Sequence, residues 1–230
     1  MGPVMTKRHL GASLGAAALL AACSLNNLPE KPDPHGPLRP PSGSAPYLYP
    51  SVAYTGCDGV SSMEVPLATN LQGALTWTVD DINLANVWAA NAPPSYAEFG
   101  ENWALVETFK AGTVTVTATD ADGQKASAQV VINKYEPAVT QVGRQRYYEP
   151  TDGTGARVSC YSCHGSVQGA DHSPLELEFF KDDEILQAIT EGAYPDGYVL
   201  KTVDHRWNLT TEERAGIVPF LRSLHPTDIN

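Results

Sequence analysis

Cys160, Cys163 and His164 are the residues whose types and spacing could do chemistry; they stand in the run Cys160-Tyr161-Ser162-Cys163-His164. Two thiols three positions apart on one helical turn can each form a thioether with a vinyl group of the same porphyrin. The imidazole that follows is then held under the iron. The spacing is the attachment pattern of one covalent haem c. Cys160 and Cys163 would bind it and His164 would be its proximal iron ligand. Three other uses of these residues are weaker. A thioredoxin-like pair needs a βαβ pattern, and none surrounds this one. Zinc takes four ligands, and no second Cys pair follows. A disulfide across two intervening residues is uncommon.

The elements that must position this turn read as helices. One ends around the motif, entering from Gly155 and Ala156. A second runs over about 182–191, with Ile185, Leu186 and Ile189 on one face and acids in its first turn, where they complement the helix dipole. Gly192 is its stop. A third opens on Thr210 with Glu213 three residues on, a capping box, and continues through Ile217, Val218, Phe220, Leu221 and Leu224 to Pro226. Pro219 removes one of its backbone hydrogen bonds. The stretch 134–146 reads as a short linker into this helical part.

From Cys160 to Leu224 the chain resembles a class I cytochrome c domain. The resemblance rests on the attachment motif, Ile189-Thr190-Glu191-Gly192, Leu209-Thr210-Thr211-Glu212-Glu213 and Phe220-Leu221-Arg222-Ser223-Leu224. It implies a small all-α domain that carries electrons rather than transforming a substrate. In that family a Met before the last helix is the second iron ligand. Here the methionines are Met1, Met5 and Met63, all upstream of the motif. His205 stands where that Met would be, with Trp207 beside it, and is the expected distal ligand. His172 follows His164 too closely to cross easily to the opposite haem face. His225 is expected to cap the last helix. Paired imidazoles would give a closed iron of lower potential than a His–Met pair. The alternative is an open iron, as in a haem enzyme or a gas or redox sensor. Tyr194, Tyr198 and Trp207 are candidates for the pocket wall.

Upstream, about 47–135, the pattern changes to period two. Leu75, Trp77 and Val79 alternate with Thr76 and Thr78; Val114, Val116 and Ala118 alternate with threonines; Ala126, Ala128, Val130 and Ile132 alternate with polar residues. Each run predicts a half-buried antiparallel strand, and Asp122-Gly123 predicts a hairpin. The region resembles bacterial Ig-like domains, carried by Leu75–Val79, Ala111–Ala118 and the strand to Ile132. Spacer or docking surface is the implied role; an envelope interaction protein acting through this region is a further alternative. Asp80-Asp81 and Asp120–Asp122 are read as turn formers rather than calcium ligands.

The N-terminus has a basic start at Lys7 and Arg8, then a short apolar run over 10–20. That is an export signal, too short to span a bilayer. It ends Leu20-Ala21-Ala22-Cys23, which resembles a bacterial lipoprotein signal and implies a lipidated Cys23. Ser24 in place of Asp then implies the outer membrane of the cell envelope. The Pro-rich stretch that follows, with seven prolines from Pro29 to Pro46, predicts an extended tether. Cys57 is left over, expected to be buried and inert. A formal net charge of -11 argues against nucleic acid as a partner. The expected partners are other redox proteins or small electron carriers, with a lipid anchor in the membrane. The organisation expected is multi-domain: signal 1–22, tether 23–46, an all-β Ig-like sandwich over 47–137, and a small all-α cytochrome c domain over 138–230.

Overall fold

The computed structural model describes residues 45–150, 158–165, 171–193, 206–227 and 229. The signal 1–22, all but the end of the tether, and Cys23, Tyr194, Tyr198 and His205 lie outside them. The strands are β1 (Leu48–Tyr49), β2 (Val52–Cys57), β3 (Glu64–Thr69), β4 (Thr76–Val79), β5 (Ala85–Ala90), β6 (Asn102–Thr108), β7 (Gly112–Thr119) and β8 (Lys125–Lys134). The helices are α1 (Pro137–Tyr148), α2 (Tyr161–His164), α3 (Pro174–Leu177), α4 (Asp182–Glu191) and α5 (Thr211–Arg222).

The strands form two four-stranded sheets, in the orders β1-β3-β6-β5 and β2-β8-β7-β4. Alternation sets which faces meet. Val114, Val116 and Ala118 of β7 and Ala128, Val130 and Ile132 of β8 point inward, onto Val65 and Leu67 of β3 and Val106 of β6. The β7–β8 hairpin closes as its sequence predicts: Asp120 Oδ1 accepts the N–H groups of Asp122 and Gln124, and Gly123 takes φ 81°. Asp81 likewise accepts a turn N–H, from Asn83, whereas Asp80 accepts the Thr115 N–H of β7.

An all-β Ig-like sandwich followed by a separate all-α cytochrome c domain is not what the chain forms. The second sheet is mixed, because β2 runs parallel to β8 from Val52↔Gln129 to Cys57↔Lys134. The helices are interleaved with the sheets instead of standing apart from them. Leu175 of α3 and Ile229 are buried in one cluster with Ala68, Phe99, Trp103 and Leu105. Tyr54 N–H of β2 donates to Glu178 O at 2.8 Å, and Tyr96 O–H donates to Glu176 Oε1. Asp182, at the start of α4, accepts from Asn133 Nδ2 and Tyr135 O–H just at the end of β8. Apolar periodicity within one element cannot show which other element covers it. The expected linker over 134–146 is mostly helix: only two residues separate β8 from α1, with Pro137 in its first turn, where a missing N–H is harmless.

α4 ends at Gly192 in the left-handed region, φ 64°. α5 has its capping box: Thr210 Oγ1 accepts Glu213 N–H at 3.2 Å, and Glu213 Oε2 accepts Thr210 N–H at 2.8 Å. It carries Pro219 inside it and ends at Arg222, short of the expected Leu224. α1 crosses α5 with Gly143 against Gly216. A Cβ on either would run into the other's backbone, so only glycine lets the two helices approach this closely.

Candidate haem site

α2 is a single turn, and its own hydrogen bonds aim the motif. Cys163 N–H and His164 N–H both donate to Cys160 O, at 3.2 and 3.1 Å, and Ser159 caps the turn through Ser162 N–H and Oγ. Cys160 is 7% exposed and Cys163 is half-buried; among the described residues neither they nor the buried Cys57 form a disulfide. The turn faces a pocket lined by Tyr147 of α1, Cys160 and His164, His172, Ile189 of α4, Trp207, and Ile217 and Leu221 of α5. The structure thus gathers three of the sequence-predicted residues, Cys160, His164 and Trp207, at one apolar wall.

The lining suits a covalent haem in kind: the Cys160 thiol, the His164 and His172 imidazoles, and otherwise apolar or aromatic surface, with Cys163 on the same turn but outside the lining. The space enclosed is about 10 Å³, room for about one water, so the walls lie against one another and a porphyrin would enter by parting them. Among the described residues no group of three or more His, Cys, Asp or Glu side chains is placed to hold a metal ion.

His172 is the residue that sequence reasoning set aside. Its ring stacks on that of His164, centroids 3.7 Å apart and planes 26° from parallel, with Tyr147 at its edge. The local cause is an Asx turn: Asp171 accepts Ser173 N–H and Ser173 O–H, both at 2.8 Å, ahead of α3. His225 does not cap α5. Its Nδ1 lies 2.7 Å from Glu64 Oε2 of β3 and its Nε2 lies 2.9 Å from Ile229 O. It ties the C-terminal segment to a sheet.

Aromatic rings collar the turn. Tyr161 lies 5.1 Å from Tyr148, and these two rings are 48% and 42% exposed. Tyr147 is buried and touches Phe220. Burial, with Cys160 close by, pushes its hydroxyl up to about 12. Burial raises the Cys160 thiol as well, and the Arg146 guanidinium opposes that rise.

Arg146 is the second residue that the sequence hid. It sits in the last turn of α1 with 1% exposure. Its Nη1 donates to Val158 O at 3.0 Å, its Cζ lies 4.9 Å from the Trp207 ring, and its Nε lies 3.8 Å from Glu213 Oε1. An arginine near a helix C-terminus is ordinarily solvated, and nothing in its own neighbourhood of sequence marks this one as buried. Comparison with protein-family models and with curated proteins gives no match for this chain.

Proposed function

We propose that the chain is a membrane-anchored c-type cytochrome that relays electrons at the bacterial cell envelope through one covalent haem. The observation that carries this reading is the α2 turn, with Cys160 and Cys163 not joined in a disulfide and Cys160 and His164 set against an apolar wall. Bound haem would supply the one-electron chemistry. The chain would supply the rest. Cys160 and Cys163 hold the group covalently. His164 would ligate the iron, its ring oriented by the turn and by the face of His172. Ile189, Ile217 and Leu221 exclude water, which favours electron transfer with little solvent rearrangement. His205, two residues before Trp207, is the distal ligand in this proposal. Cys23 would carry the lipid, and other redox proteins would be the partners.

The test is an optical spectrum of the full chain, expressed with export and haem attachment, together with haem staining of a denaturing gel. Stain that survives denaturation in the wild type and in C57S, but not in C160S/C163S, is the expected outcome. A low-spin spectrum unmoved by carbon monoxide fits two protein ligands, and H205M should then change it. A high-spin ferrous spectrum that shifts with carbon monoxide would sink the electron-carrier reading in favour of an open iron.

A further inference from the structure

The buried cation next to the pocket has no role in the proposal so far. Arg146 lies where a charge is expensive: taking a guanidinium out of water costs several kcal/mol unless partners compensate. Among the described residues its compensation is partial. Nη1 has the Val158 carbonyl, and the guanidinium stacks on Trp207. Among the described residues the carboxylate oxygen paired with it, Glu213 Oε1, is 3.8 Å from Nε, too far for a hydrogen bond. Nε–H makes no hydrogen bond among the described residues. Glu213 is also drawn the other way, because its Oε2 accepts Thr210 N–H in the capping box.

These contacts place the cation behind the pocket wall. Val158 is two residues before Cys160, and Trp207 is itself part of the lining. Charge in a dry interior acts over longer distances than at a surface, where water screens it. Arg144, two residues back on the same helix, is exposed and stands 6.0 Å from the Tyr148 ring. It has the same charge in a screened position.

We propose that Arg146 is a positioning residue that fixes the electrostatics of the haem pocket: buried against Trp207 and Glu213, it is the positive charge that favours the reduced iron and holds the tryptophan wall in place. The inference rests on the haem reading above. Reduction adds one electron to the iron centre and no proton is needed, so a fixed neighbouring cation stabilises the product relative to the reactant. Glu213 counters it, so the two side chains act in opposite directions.

The test is the midpoint potential of the full-length haem-loaded protein, read by optical redox titration, with the Trp207 share of the haem-free chain's fluorescence, taken as the difference from W207F, as a second readout. R146Q is expected to move the midpoint negative. E213Q, which keeps an oxygen for Thr210 N–H, is expected to move it positive. R144Q is expected to leave it nearly in place. R146K keeps the charge but loses the planar stack, so it should hold the midpoint near wild type while Trp207 emission shifts. A merely structural arginine would not give opposite signs for R146Q and E213Q. Equal shifts in R146Q and R144Q, or shifts of one sign in R146Q and E213Q, overturn the inference and leave the haem reading standing. A wild-type chain that takes up no haem overturns both. Should R146Q fail to fold, the E213Q and R146K results decide alone.

Discussion

Glu178 is a carboxyl that the fold keeps away from water. It is 2% exposed, and its Oε2 has no hydrogen-bond partner among the described residues. Burial raises its affinity for a proton well above the ordinary range; Arg222 opposes the rise and Glu176 adds to it. Burial, then Glu178, also raises the Tyr49 hydroxyl. The folded chain therefore holds a proton on Glu178 at pH values where the unfolded chain, near about 4.3, has lost it. Across that window the native state binds more protons, so stability falls as pH rises, by about 1.4 kcal/mol per pH unit from this group. E178Q keeps the shape and removes the titration. Urea melts should show it more stable than wild type at pH 8, with the gap closing toward pH 4. Parallel curves for the two proteins would show that Glu178 is not buried as described.

At the scale of elements, the α1–α5 crossing is the joint on which the pocket hangs. Tyr147 and Arg146 come from one helix, Ile217 and Leu221 from the other. The Gly143–Gly216 contact sets how near they lie. G143A adds a methyl group against backbone, which cannot rotate aside as a side chain can. A loss of about 1–3 kcal/mol is expected, seen as a lower thermal midpoint. An unchanged midpoint would mean that the helices do not cross there. Sequence made some elements legible and hid others for a physical reason. α4 and α5 carry their own punctuation, in Gly192 and in the Thr210–Glu213 box. β7 and β8 carry clean alternation and a turn between them. β3 and β6 are buried almost throughout, so they show no alternation to find. α1 lacks an apolar stripe, because it buries a glycine, a threonine and an arginine along with Tyr147. At the site, the Cys-x-x-Cys-His spacing is local and could be read. The partners Arg146 and His172 reach it through tertiary packing, which leaves no mark in the residues beside them.

For the whole molecule, the shared core makes the sheets part of what holds the helices. Removing them would uncover Leu175 and Ile229 and take away the Tyr54 N–H that pairs with Glu178 O. Residues 137–230 expressed alone are therefore expected to lack a cooperative thermal transition, by circular dichroism, where the full chain shows one. A sharp transition in the fragment would restore independent domains. The parallel pairing of β2 with β8 has a mechanical consequence. A pull on the chain ahead of Val52, set against a pull beyond Lys134, drags two parallel strands in opposite directions along their length. The ladder from Val52↔Gln129 to Cys57↔Lys134 is then loaded in shear, with its bonds strained together rather than unzipped one by one. A chain held at its N-terminal end would meet an outside force with its strongest geometry first.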